Sequence, residues 1–306
     1  RPRQTVQHIP HLGLAVLVFV FQRVVVGRVH LNGDVLLGIN KFCQNRELLE
    51  SVCSAFHAAG KKVVVVLNIG GVIETMSWKE LPDAILLAWQ GGLEAGNAMA
   101  DVLSGHVSPS GRLPMTFPAD YSDHPSSKNF PLDYRGRRGD WADDAPERHL
   151  RNLGFTCYEE DIWVGYRYFS THAPEAVSYP FGYGLSYTTF DISKGRLSKS
   201  SVRTGEGVKF TAQVKNTGNR DGAEVVQVYV RKVGDTEGPL KSLRGFRRVD
   251  LKAGESRTVS IELSPDAFEF FDTSTNTMRV VPGEYEIMYG NSSDTPEGNK
   301  LKFVLL

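Results

Sequence analysis

Two hydrophobic periods divide the chain. From Glu47 the apolar positions recur at helical spacing: Leu49, Val52, Cys53, Phe56 and Ala59 share a face, and Gly60 follows where a helix takes a left-handed cap. The run Val63 to Leu67 then has no polar alternation and ends in Asn68, Gly70 and Gly71. A β-branched stretch of that kind is buried on both faces, the mark of a parallel sheet covered by helices. Asp83 to Trp89 repeats the pattern and is followed by Gln90, Gly91 and Gly92. A second helix is predicted with Leu93, Gly96, Asn97, Ala100 and Leu103 on one face and a stop at Gly105, and Leu113 to Pro118 reads as a third strand. Beyond Asp191 the period changes to two, in seven short runs broken by turn signals such as Asn216-Thr217-Gly218, Ala253-Gly254 and Pro282-Gly283. The pattern predicts a multidomain chain: an α/β sandwich with a mostly parallel sheet, then an all-β sandwich.

Between the two lies an aromatic seam. YEEDIWVGYRYF (Tyr158 to Phe169) and YPFGYGLSYTTF (Tyr179 to Phe190) combine rings with Gly165, Gly182 and Gly184, so the rings must pack from an irregular backbone. The stretch from Ala119 to Cys157 has no period and reads as a long loop. The expected division is 1–46, an anomalous segment; 47–157, an incomplete α/β sandwich domain; 158–190, the aromatic seam and linker; and 191–306, the β-sandwich. With no cysteine pair in it, that last domain fits the fibronectin type III variant of the immunoglobulin-like sandwich.

Candidate chemistry falls in two places. In open α/β sheets ligands lie at the carboxyl ends of strands, which puts Asn68, Trp89 and Gln90 on the expected binding edge. The two amides have a second role open to them, that of satisfying loose backbone groups at strand ends. Glu159, Glu160 and Asp161 read either as a solvated rim of the seam or as carboxylates beside a sugar cleft. His57, near the apolar side of the first helix, reads as a core histidine. No glycine spacing matches a dinucleotide fingerprint or a P-loop, so no nucleotide is implied.

Composition narrows the classes. Of 306 residues, 35 are basic and 35 acidic, which gives no overall footprint for nucleic acid or a membrane surface. Cys43, Cys53 and Cys157 are an odd number without CxxC spacing, so neither a disulfide framework nor a zinc site is expected, and nothing calls for a metal or an organic cofactor. Leu12 to Phe21 is too short to span a bilayer and stops at Gln22 and Arg23, and no cleavage site follows it, which leaves the compartment open. Residues 1 to 46 hold five Arg, one Lys and a single acid, Asp34, a charge of +5 that leaves −5 for the rest. A shift of that size is foreign to one compact layer.

From about Leu48 onward the chain resembles the C-terminal half of a glycoside hydrolase family 3 β-glucosidase. The matches are FHAAGKKVVVVLNIGGVIE, ILLAWQGGLEAGNAMADVLSGHVSPSGRLPMTFP, the two seam segments, VKNTGNRDGAEVVQVYV and LRGFRRVDLKAGES, in order over roughly 250 residues. The resemblance implies an α/β sandwich domain and a fibronectin type III-like domain that follow a (β/α)8 barrel, which would be the chain's missing partner, and a β-glucoside or oligosaccharide as substrate. It also implies retaining chemistry, in which one carboxylate attacks the anomeric carbon and a second carboxyl protonates the leaving oxygen, about 5 Å away. The family nucleophile is an Asp of the barrel, and the usual acid/base is a Glu in a Gly-Glu-Gly loop about two dozen residues before the helix that starts near Leu48. Counting back lands near Gly27, Arg28 and Val29, and no Glu precedes Glu47. The expectation is a β-glucosidase portion that is inactive alone, with a non-catalytic carbohydrate-binding or domain-bracing module as the alternative. On this reading residues 1–46 are a frame error, a mis-joined fragment or a degenerate end, and Glu159, Glu160 and Asp161 are weak substitutes for the lost acid/base.

Overall fold

The computed structural model describes residues 14–20, 30–31, 34–35, 45–128, 158–272 and 274–306; Cys43 and Cys157 lie outside them. Three strands form the first sheet, in the order β1 (Leu14–Val20), β4 (Lys62–Asn68) and β5 (Ala84–Leu87), and both pairings are parallel. A short antiparallel pair, β2 (His30–Leu31) and β3 (Asp34–Val35), forms a separate two-stranded sheet. In β4, Val63, Val65 and Val66 are wholly buried, as a central strand without polar alternation requires. The first helix, α1 (Asn45–Ala58), turns Leu49 and Cys53 inward, and Gly60 follows with a φ of 69°. Leu49, Val65, Leu67, Ile69, Trp78 and Phe117 form the core of this part.

Two expectations are corrected here, for His57 and for the stretch from Leu113, while the second helix forms but starts after Leu93. His57 is exposed rather than in the core, with Nε2 2.9 Å from Asp83 Oδ2. The second helix, α2 (Ala95–Leu103), buries none of its residues among those described, and Leu93 precedes it fully exposed. The stretch from Leu113 adds no strand to the first sheet. Only β6 (Phe117–Pro118) is extended, antiparallel to β7 (Val177–Tyr179). The seam captures the earlier backbone instead, since Leu113 N–H donates to Tyr183 O (2.9 Å) and Gly182 N–H donates to Leu113 O (2.8 Å). A third helix, α3 (Tyr166–His172), lies within the seam.

The remainder is a two-sheet sandwich of β8 (Phe190–Leu197), β9 (Ser201–Val202), β10 (Val208–Asn216), β11 (Gly222–Lys232), β12 (Ser242–Leu251), β13 (Ser256–Leu263), β16 (Gly283–Gly290) and β17 (Lys300–Leu305), with a hairpin of β14 (Glu269–Asp272) and β15 (Thr277–Val280). One sheet runs β13-β10-β8 and the other β12-β11-β16-β17-β9. Strand β10 alternates strictly at its start, with Val208, Phe210, Ala212 and Val214 inward. Val226, Val228 and Val230 of β11 face them across one continuous core. The first strand β8, the short β9 and the second hairpin strand β15 were not among the seven runs read from the sequence.

Candidate functional site

The parallel sheet places its loops by strand register. Leu67 is paired with Leu87, and Ala88 N–H donates to Leu67 O at 2.8 Å, so the residues after β4 and β5 emerge side by side. Asn68, Trp89 and Gln90 therefore all lie at the carboxyl edge. Trp89 holds a φ of 52°, in the left-handed region that a bulky aromatic rarely adopts. Its ring rests on Phe117 (centroids 6.3 Å apart), and Phe117 in turn meets Tyr179 (6.4 Å). The Gln90 amide packs against Gly70. Among the described residues neither the Asn68 nor the Gln90 side chain has a hydrogen-bond partner, so neither spends its amide on a strand end.

The ring ladder continues toward the seam. Tyr179 lies 5.1 Å from Tyr183, and the Lys79 ammonium sits 5.1 Å from the Tyr179 ring centre. Burial above all, then Tyr183 and the charge of Glu80, drive the Tyr179 hydroxyl far above its ordinary pKa, and burial followed by Glu80 raises that of Tyr183. Both phenols are neutral donors at any physiological pH.

The acidic trio opens the seam on the approach to α3. Glu159 and Asp161 are exposed and Glu160 is half-buried; Asp161 has a φ of 50°, and Glu160 O accepts from Trp163 N–H (2.8 Å). The turn leads to Tyr166, whose ring meets Phe181 (4.9 Å) and Tyr229 (5.7 Å) and whose hydroxyl accepts from Leu243 N–H (2.7 Å). That segment is thus fastened to the β-sandwich, whereas Trp89 is fastened to Phe117. Among the described residues no group of three His, Cys, Asp or Glu is placed to hold a metal ion, and no helix is long and apolar enough to cross a membrane.

Of the residues that join the two domains, Tyr166, Gly182 and Tyr187 fall in the segment read as the linker, whereas the Arg112–Glu224 pair was not found in the sequence. Arg112 Nε (3.0 Å) and Nη2 (2.6 Å) both donate to Glu224 Oε1, which also accepts from Val225 N–H, and both side chains are buried. The one local hint was Glu224 itself, a carboxylate beside the apolar Ala223, Val225 and Val226. Gly182, with a φ of 81°, lies against the Gln227 amide, which donates to Asn291 O. Tyr187 donates to Val102 O (2.7 Å) and stacks under the Arg220 guanidinium.

A parallel sheet, an aromatic seam and an attached β-sandwich define a two-domain module. The chain belongs to glycosyl hydrolase family 3. It carries the glycosyl hydrolase family 3 C-terminal domain over residues 39–187 and a fibronectin type III-like domain over residues 224–293. It is 38% identical over 253 residues to a xylan 1,4-beta-xylosidase of Xylanibacter ruminicola, covering 82% of this chain and 25% of that protein. It is 41% identical over 247 residues to an exo-alpha-(1->6)-L-arabinopyranosidase of Bifidobacterium longum, covering 80% and 29%. Among solved structures, beta-glucosidase 3B of Thermotoga neapolitana, in complex with alpha-D-glucose, matches with a TM-score of 0.74 at 36% identity, over 95% of this chain and 37% of that one. The chain thus spans between a quarter and two fifths of the length of these relatives.

Proposed function

We propose that this chain forms the C-terminal wall of a retaining β-glucosidase cleft that hydrolyses terminal non-reducing β-D-glucosyl or related residues. The supporting observation is the convergence of Asn68, Trp89 and Gln90 at one sheet edge, two free amides beside a ring held in a strained backbone. Strain of this kind costs about 1–3 kcal/mol and persists where surrounding structure over-determines it, often at binding sites. The sheet is read as mostly parallel, and a (β/α)8 barrel is the partner that would supply the nucleophile. The names of the relatives span xylosides, arabinopyranosides and glucosides, so the sugar is left as a β-glucoside or a related glycoside.

This polypeptide alone is expected to turn nothing over, because retaining hydrolysis needs two carboxyl groups about 5 Å apart. The nucleophile's barrel is not in this sequence, and no Glu precedes Glu47. Incubation with an aryl β-glucoside is expected to release no phenol, and clear turnover would overturn the inactive reading. In that event Glu159, Glu160 and Asp161 are the candidate acids, to be tested one by one as amides. Residues 1–46 are read as a frame error, a mis-joined fragment or a degenerate end; translating the encoding nucleotides in all frames decides this, and finding no Gly-Glu-Gly loop eliminates the frame error.

A second reading, a non-catalytic binding or bracing module, is favoured by the buried Arg112–Glu224 pair and by Tyr166 packed on Tyr229, which weld the domains together. Saturable binding of a neutral oligosaccharide without turnover, lost on Trp89→Ala, is its expected signature.

A further inference from the structure

Four glycines follow the strands of the β4–β5 edge, Gly70 and Gly71 after β4 and Gly91 and Gly92 after β5. None of them has a φ in the left-handed region, so the backbone at each is one that alanine also adopts. Their reasons for lacking a side chain differ. A Cβ on Gly91 would collide with Ala95, the first residue of α2, so that glycine belongs to the packing of the helix start. Gly71 and Gly92 have open space where a Cβ would stand. At Gly70 the three nearest atoms all belong to one side chain: a Cβ there would lie 2.7 Å from Gln90 Nε2, 3.3 Å from Cδ and 3.9 Å from Cγ.

Neither conformation nor core packing therefore calls for glycine at 70; the Gln90 amide does. A methyl group there would have to push one of the two partners aside. The backbone is the stiffer one, because Gly70 directly follows Ile69, which is buried in the core of the α/β part. The yielding partner is the far end of the exposed Gln90 side chain. Among the described residues that amide has no hydrogen-bond partner to hold it, so its place over Gly70 is set by shape alone. Trp89, whose ring rests on Phe117, anchors the backbone from which Gln90 departs, and Gly70 sets where its amide ends.

We propose that Gly70 is a positioning residue of the sugar-binding edge: by carrying no side chain it seats the Gln90 amide where Nε2–H can donate to, and Oε1 can accept from, the hydroxyls of a bound sugar. Gly70 touches no substrate itself and acts through Gln90. The assignment rests on the reading of the β4–β5 edge as the sugar-binding edge. It gives Gly70 and Gly71, neighbours of the same type with equally permissive backbones, different roles, and this difference supplies the control.

The test compares Gly70→Ala and Gly71→Ala in the full chain. The Gln90 side-chain N–H resonances, assigned by their loss in Gln90→Glu, are expected to move in Gly70→Ala and to stay in Gly71→Ala. Alanine at a compatible glycine position restricts the unfolded chain, so both variants are expected to melt at or above the temperature of the parent. An NMR titration with cellotriose is expected to show equal binding by the parent and Gly71→Ala, and binding weaker by about three- to tenfold in Gly70→Ala, the worth of one neutral hydrogen bond. Unmoved Gln90 resonances, or cellotriose bound as tightly by Gly70→Ala as by the parent, would overturn the positioning role and leave the sugar-binding edge standing. A lower melting temperature for Gly70→Ala would make the glycine a requirement of the fold, and an equal loss in Gly71→Ala would make the backbone turn the cause; either overturns the proposal. If the parent binds no cellotriose, the reading of the edge fails and the proposal falls with it.

Discussion

Among the described residues, Arg112 and Glu224 form the most deeply buried ion pair. Their side chains are only 8% and 4% exposed, so each charge depends on the other for the solvation it has lost. Truncating one partner of a buried pair costs about 3–5 kcal/mol because the survivor is stranded, while exchanging both for apolar residues of similar volume is often near neutral. Arg112→Ala is therefore expected to cost about 3–5 kcal/mol in urea unfolding, and Arg112→Met with Glu224→Leu distinctly less. A double variant worse than both singles would contradict this. Asp83 offers a pH-dependent counterpart at the opposite end of the sheet. Burial works to raise its carboxyl pKa, but the Lys62 ammonium, the Val63 N–H and His57 outweigh that and hold it below the usual range. A folded pKa below the unfolded one means the stabilisation is full above the unfolded value, near 4, and fades as pH falls through the folded one. Denaturation midpoints taken from pH 6 down to pH 3 are expected to fall less steeply for Asp83→Asn than for the parent, and equal slopes would count against the pair.

At the scale of elements, burial follows the period of each strand. In β10 the inward Phe210 is wholly buried against Tyr289, their ring centroids 5.2 Å apart, while the outward Lys209 meets only Glu262. Phe210→Ala is expected to cost about 3–5 kcal/mol, as ring deletions from cores do. Lys209→Ala is expected to change stability by less than about 1 kcal/mol, since an exposed ion pair contributes little. Thermal melts of the two variants side by side measure the contrast, and similar losses would refute the inward–outward assignment. Helix α2 is the exception at this scale. Its apolar residues were legible, but none is fully buried; Val102 and Leu103 are half-buried, with the Tyr187 hydroxyl on Val102 O.

For the whole molecule, the β-sandwich holds a continuous core of its own, from Val202 to Leu305, that draws no residue from the α/β part. Residues 190–306 expressed alone are expected to unfold in one cooperative transition. The α/β part leans on the sandwich through Arg112, Tyr187 and Tyr166, so residues 1–189 alone are expected to melt at a lower temperature than the same part of the full chain. An unchanged melting temperature would remove the bracing reading.

The sequence by itself determined what depends on near neighbours along the chain. The unbroken valine run of β4 marked a strand buried on both faces, the alternation from Val208 marked one buried on a single face, and the order of motifs identified the family. That Asn68, Trp89 and Gln90 lie at the carboxyl ends of β4 and β5 was also legible, because it follows from strand direction. Tertiary structure alone decided the rest. Arg112 and Glu224 are 112 residues apart, and neither residue's surroundings name the other. Leu113 and its neighbours have strand propensity, but the seam at Gly182 and Tyr183 took their hydrogen bonds. The φ of Trp89 was equally out of reach. Periodicity is a local property of a chain, whereas strain, ion pairing and exposure are set by which distant segment arrives alongside.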